Sequence, residues 1–251
     1  MHGWFQTPPG RYLLEWERKQ LHQAVSGIFG FHALQLGLPE VDALCDNRMP
    51  HRWLGHHMPT QHASFLTDFS ALPFPAGSLD LVVLPHSLEL ARDPHTTLRE
   101  VERVLVPEGR VVICGLNPAS LWGLRQRRAH LYHRMGFGPM FLPEAGEFIG
   151  HWRLRDWLRL LGLEVEVLRF GCYRPSLSSE KWLQRFSWMD ATGQRLWPIL
   201  GAAYFIVAVK RVRGMTLLNP GWKPTRAMSA APVTVVSGSV MATPESSKNG
   251  E

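Results

Sequence analysis

Residues 67–94 read TDFSALPFPAGSLDLVVLPHSLELARDP, and the fold turns on the apolar run inside them. Leu79, Leu81, Val82, Val83 and Leu84 follow one another with Asp80 as the single polar interruption, which is the pattern of a strand buried on both faces. Pro73, Pro75 and Gly77 punctuate the approach, as a turn into a strand requires. Asp93 followed by Pro94 predicts a helix N-cap with proline in the first turn. A buried strand entered through a turn and followed by a helix is half of an α/β unit.

Working outward, the same alternation continues. Residues 10–26 predict a helix with Leu14, Leu21, Val25 and Ile28 on one stripe and Gly27 ending it. HALQLG, ending at Gly37, is a short strand, and HRWLGHH from His51 a weaker one. ASFL from Ala63 and RVVICGL from Arg110 are further strands. Residues 93–105 predict a helix with Leu98, Val101 and Leu105 on one face. Residues 151–161 predict another, stopped by Gly162, before the strands LEVEVLRF and AAYFIVAVKR. The connection between those two strands predicts one short helix carrying Trp182, Phe186 and Trp188. The expected class is α/β, a Rossmann-like doubly wound sheet of about seven strands with the last strand antiparallel. The ligand crevice is expected at the ends of HALQLG and LDLVVL. Residues 1–214 are expected to form this domain. Residues 215–251, rich in Pro, Ser, Thr and Gly, are expected to be a largely disordered tail.

Composition narrows the function. A chain of 251 residues, 45% hydrophobic, has enough apolar material for one large core. No secretory leader and no apolar run long enough to span a bilayer is present, so a soluble, cytoplasmic protein is expected. Cys45, Cys114 and Cys172 are odd in number and scattered, which argues against a disulfide framework and a thiolate zinc site. The net charge of +6 is concentrated at residues 125–134, where Arg125, Arg127, Arg128 and Arg134 occur. That cluster has two readings: a patch for nucleic acid or acidic lipid, or the solvated face of a helix whose other side carries Leu121, Leu124 and Leu131.

Residues 63–118 resemble the middle of a class I S-adenosylmethionine-dependent methyltransferase of the type 11 group. The elements that carry the resemblance are Asp68, Leu72-Pro73-Phe74, Ser78-Leu79-Asp80 and Arg103-Val104-Leu105-Val106-Pro107-Glu108-Gly109, in that order. A wider resemblance, to a narrower bacterial branch of the group, covers about residues 10–213, with Phe29-Gly30-Phe31-His32 before the first strand and GLNPASLWGLR after the fifth. The resemblance implies S-adenosylmethionine as cofactor. Its binding residues would be Gly37, Asp68 with Phe69 for the adenine, and the strand end at Leu84 and His86. The chain departs from the family at two places. Pro39 stands where a second loop glycine is usual, and HRWLGHH has no carboxylate at the end of the second strand to grip the ribose.

Several residues keep two readings. Asp68 is either the adenine acceptor or a turn residue capping its own backbone. His86 either faces the ligand crevice or is a loop histidine without a role. Asn117-Pro118 reads as a helix N-cap. His51, His56, His57 and His62 lack a Cys, Asp or Glu among them and lack metal-site spacing, so no metal is expected. Trp152 and Trp157 share a helical spacing with Leu154, Leu158 and Leu161 and read as core. Catalytic residues are not assignable, because methyl transfer needs positioning more than acid–base chemistry. Two functions remain: methyl transfer to a small-molecule acceptor, with Trp122, Phe137, Phe141 and the segment near Trp182 as an apolar lid, or a non-catalytic scaffold that has lost its cofactor. A variant of the first has the arginines near Arg125 engage RNA.

Overall fold

The central strand of the sheet is the apolar run Leu79–Pro85. The computed structural model describes residues 2–134, 148–177 and 179–212. Residues 215–251 and the candidate lid residues Phe137 and Phe141 lie outside the described residues. The chain begins with α1 (His2–Phe5) and α2 (Pro8–Val25), then β1 (His32–Leu36), β2 (His51–His56), β3 (Phe65–Leu66) and β4 (Leu79–Pro85). There follow α3 (Ser87–Leu90), α4 (Pro94–Val104), β5 (Leu105–Leu116), α5 (Leu121–Arg134), α6 (His151–Leu160) and β6 (Leu163–Gly171). Helices α7 (Glu180–Arg185) and α8 (Trp188–Leu196) precede β7 (Ala203–Lys210). Among the described residues the strands form one seven-stranded sheet in the order β3-β2-β1-β4-β5-β7-β6. β7 runs antiparallel to both neighbours and the other pairings are parallel.

β4 lies in the middle of that order, and its side chains divide between two cores. Leu81 and Val83 pack with Val112, Cys114 and Phe205 on one face, while Val82 and Leu84 pack with Val111, Ile113 and Ile206 on the other. Each such side chain removed from water contributes about 1.5–3 kcal/mol. The polar interruption has its own task. Asp80 Oδ2 accepts hydrogen bonds from the backbone of Phe31 at 2.8 Å and His32 at 2.9 Å, fastening the start of β1 beside β4. Asp80→Ala leaves those two donors unmatched and is expected to destabilise by about 1–3 kcal/mol. Urea unfolding with an unchanged slope and a lower midpoint is the expected readout.

The motif series converges in space for a physical reason. Arg103 donates from Nη1 to the carbonyl of Phe74 at 3.0 Å and from Nη2 to that of Leu72 at 3.1 Å, while Glu100 holds the guanidinium and accepts from the Leu72 amide. The turn into β4 is thus pinned to α4. Asp93 caps α4 as its position predicts, accepting from His95 and Thr96.

The connections depart from a doubly wound pattern at one edge. Between β1 and β2 the chain makes only a 3₁₀ turn, Pro39–Val41, and no α-helix joins β2 to β3. α2 covers one sheet face, with Thr7 capping it and Pro8 and Pro9 starting it. Of the predicted stripe, Leu21, Val25 and Ile28 are buried and Leu14 packs partly buried against the core, while Leu13, Glu17 and Gln20 widen the buried side. The β6–β7 connection holds two helices and a 3₁₀ turn where one short helix is predicted.

Candidate functional site

The carboxyl ends of β1 and β4 meet at Gly37. Its φ of +79° lies in the left-handed region, and a Cβ there would sit 3.0 Å from Ser87 Oγ and 3.7 Å from the Phe69 ring. The Ser87 hydroxyl donates to the Leu36 carbonyl, so the loop after β4 closes directly on the end of β1. Buried Gln35 shapes the loop that follows, donating to the Leu38 carbonyl at 2.8 Å and accepting from the Ala43 amide at 2.8 Å. This side chain holds a turn that Pro39 alone does not.

Two clefts adjoin here. One of about 770 Å³ is lined by Arg18, Leu38, Glu40, Asp42 and Thr60 among others. The other, about 920 Å³, carries Asp68, Phe69, Ser70, Arg92 and Thr97. His57 and Leu90 border both. The buried Oγ1 of Thr60 has no hydrogen-bond partner. Arg18 donates to the Glu40 carbonyl at 2.6 Å, which brings a cation from α2 to the loop after β1. Burial, then the neighbouring His56, pushes the His57 imidazole below its ordinary range.

Gly37, Asp68, Phe69 and Leu84 lie in one neighbourhood, Leu84 being buried in the same cluster as Leu36 and Phe69, while the His86 side chain turns toward Glu17 and Glu89. Asp68 Oδ1 accepts from the Ser70 amide at 2.9 Å, so its turn role is present, and that bond holds the carboxyl below its usual range. Phe69 is buried in the core cluster that also contains Leu36 and Leu84. Neither Leu84 nor His86 lines the two clefts.

His86 points instead into the core beneath α2. Its Nε2 lies 2.7 Å from Glu17 Oε1 and its Nδ1 2.9 Å from Glu89 Oε2, all three side chains being fully buried. Glu89 also accepts from the Leu116 amide, and the Phe5 ring is tilted beside the imidazole with ring centroids 6.5 Å apart. Burial alone would lower the His86 pKa. The two carboxylates outweigh it and push it up to about 10, so the ring is an imidazolium donating from both nitrogens. The residue also holds a left-handed φ of 53°. Nothing in the sequence pattern marks Glu17 or Glu89 as a partner of His86. The available signal is of burial only: Glu17 is a carboxylate four residues after Leu13 and four before Leu21.

A crown of side chains closes the same end of the sheet. Trp122, read from sequence as part of a lid, is only 1% exposed and donates from Nε1 to the Arg174 carbonyl at 2.8 Å. Asn117 does not cap α5. Its amide bridges the carbonyls of Ile199 at 2.7 Å and Gly201 at 2.9 Å, while Ser120 Oγ accepts from the Gly123 amide. Leu121, Leu124 and Leu131 are exposed rather than core-facing, and so is Trp152, whereas Trp157 is partly buried. Among the described residues no group of three His, Cys, Asp or Glu side chains is placed to hold a metal ion.

Residues 41–113 match the family model described as a methyltransferase domain. The match begins past Gly37 and Pro39, where the chain departs from the glycine loop. The uncharacterized protein YafS of Escherichia coli K12 is 30% identical over 223 residues, covering 86% of this chain and 83% of that protein. The chain belongs to the class I S-adenosylmethionine-dependent methyltransferases. A shorter stretch of 58 residues is 43% identical to a malonyl-[acyl-carrier protein] O-methyltransferase of Halorhodospira halophila, spanning 23% of this chain and 20% of that enzyme. Among solved structures, a SAM-dependent methyltransferase of Archaeoglobus fulgidus superposes with a TM-score of 0.54 at 17% identity, covering 78% of this chain and 94% of that one. This structural likeness carries the fold.

The clefts fit the cofactor that this family uses. S-adenosylmethionine combines an apolar purine, a diol, a sulfonium, an ammonium and a carboxylate. The cleft linings offer an aromatic and aliphatic floor at Phe69 and Leu90, acids at Glu40, Asp42 and Asp68, a cation at Arg18 and the unmatched hydroxyl of Thr60.

Proposed function

We propose that the chain transfers a methyl group from S-adenosylmethionine to a small-molecule acceptor. The convergence of Gly37, Phe69 and Ser87 at the carboxyl ends of β1 and β4, beside two adjoining clefts, carries this reading, because an open α/β sheet binds its ligand at that place. Asp68 and the Phe69 amide hold the adenine. Glu40 and Asp42, from the loop after β1, supply the acid groups that residues 51–57 lack, and Arg18 takes the methionine carboxylate. When bound, the sulfonium supplies an already activated methyl group. The chain's part is to hold the acceptor in line and exclude water, for which no general base is needed.

Titration calorimetry with S-adenosylhomocysteine is the test. The unaltered chain is expected to bind, and Asp68→Ala to bind roughly ten- to hundredfold more weakly, the loss of one charge-assisted hydrogen bond of about 1.5–3 kcal/mol. Absence of heat at millimolar ligand would favour a methyltransferase-fold scaffold without cofactor. Equal binding by Asp68→Ala would move the adenine away from β3.

A further inference from the structure

We propose that the face formed by α5 and the β6–β7 connection docks on an anionic membrane surface. On α5, Leu121, Leu124, Leu131 and Tyr132 are exposed, and their spacing puts them within about 100° of arc on one side of the helix. The opposite side, through Trp122, Gly123 and Gln126, is the buried one. A helix packed on a globular core normally turns its apolar stripe inward. Here leucines face outward on a helix that also carries exposed Arg127 and Arg128 and has no Asp or Glu.

The β6–β7 connection adds exposed aromatic and basic side chains at the same end of the sheet. Trp182, Trp188 and Trp197 are 52%, 56% and 50% exposed. Lys181, Arg185 and Arg195 are exposed beside them. The two acids of the connection are engaged elsewhere, Glu180 with Arg11 at 3.7 Å and Asp190 with Arg174 at 2.8 Å. Both segments leave one end of the sheet, since Ala203 pairs with Leu116 on one side and Gly171 on the other. The Trp122–Arg174 and Asn117–Ile199 hydrogen bonds tie them together.

Leucines between arginines, with tryptophans alongside, match the chemistry of a lipid interface. Aliphatic side chains enter the acyl boundary, indoles sit at headgroup depth and cations meet anionic headgroups. A nucleic acid would use the arginines and some indoles and leave the leucines wet. No helix among the described residues is long and apolar enough to cross a membrane, so the contact is one of lying on the surface.

Flotation with vesicles of phosphatidylcholine and phosphatidylglycerol at 3:1, against phosphatidylcholine alone, reads the proposal without any cofactor and independently of methyl transfer. The full chain is expected to float with the anionic vesicles only, to be released by salt, and to show a blue-shifted tryptophan emission. Arg127→Gln with Arg128→Gln is expected to weaken partition about fivefold per charge, roughly thirtyfold together. Leu124→Ser is expected to weaken it about tenfold. These sites are exposed, so circular dichroism and S-adenosylhomocysteine binding should not change. Failure to float, equal flotation with neutral vesicles, or variants that partition like the parent would each overturn the proposal. So would a dimer dissolved by Leu124→Ser, or binding to a single-stranded oligonucleotide in place of vesicles.

Discussion

Replacing His86 with alanine is expected to destabilise the chain by about 3–5 kcal/mol, because removing one member of a buried ion group strands the others without solvent. Glu17 and Glu89 would remain fully buried and face each other across the vacated ring. At this size the melting temperature is expected to fall by roughly 6–20 °C. A mere cavity would give a similar number, so the decisive measurement is a cycle with Glu17→Gln. Neutralising Glu17 is expected to be harmful in the parent and to recover stability in the His86→Ala background, a coupling of the kind neighbouring charges show. Purely additive unfolding energies would mean that the three groups do not act as a charged unit.

The same triad gives a pH signature. A histidine free in the unfolded chain titrates near 6.5, whereas His86 in the fold is raised to about 10. A raised folded-state value means the stabilisation is complete below about pH 6.5 and is lost as pH climbs toward 10. The stability gap between the parent and His86→Ala is therefore expected to be widest at about pH 6.5 and to narrow steadily on the alkaline side. Unfolding measured from pH 6.5 to 10 checks this, and a gap that grows with pH would contradict it.

How legible the molecule is in its sequence depends on which forces act locally. β4 and β5 could be read because strands buried on both faces must be apolar throughout, and Asp93-Pro94 because capping is chemistry between near neighbours. The missing helix between β1 and β2 could not, since the brace replacing it is Gln35, a polar residue inside a strand whose bonds to Leu38 and Ala43 exist only once the loop has formed. Glu17 escaped for a related reason. Periodicity assigns charged residues to the wet side, yet this one is buried by a histidine 69 positions away. Of the candidate cofactor residues, Gly37, Asp68 and Phe69 share one neighbourhood because their strands end together. His86 follows β4 just as closely, but it has a left-handed backbone and its ring is engaged by two buried carboxylates. The leucines of α5 show the converse failure, since an apolar stripe in sequence does not say whether protein or another apolar phase covers it.

Trp122→Ala is expected to cost about 3–5 kcal/mol, the range for emptying a large buried aromatic site. The indole packs edge-on to Trp4 at 6.0 Å and against Tyr12 at 6.5 Å, and it holds the Arg174 carbonyl. It therefore joins α1, α2, α5 and the start of the β6–β7 connection through one side chain, alongside the Arg125–Ser176 and Tyr12–Asp190 hydrogen bonds. Trp122→Phe keeps much of the ring area and loses the Nε1 donor, so its cost is expected to be nearer 1–3 kcal/mol. The melting temperature of the alanine variant should drop by roughly 6–20 °C, read by calorimetry. Neither cleft is lined by Trp122, so binding of S-adenosylhomocysteine at 15 °C, below the transition, is expected to change by less than about twofold. A shift of only a degree or two would show that the crown is held by its other bonds, Asn117 to Ile199 foremost. A loss of binding in proportion to the lost stability would show that the crown and the clefts are one cooperative unit.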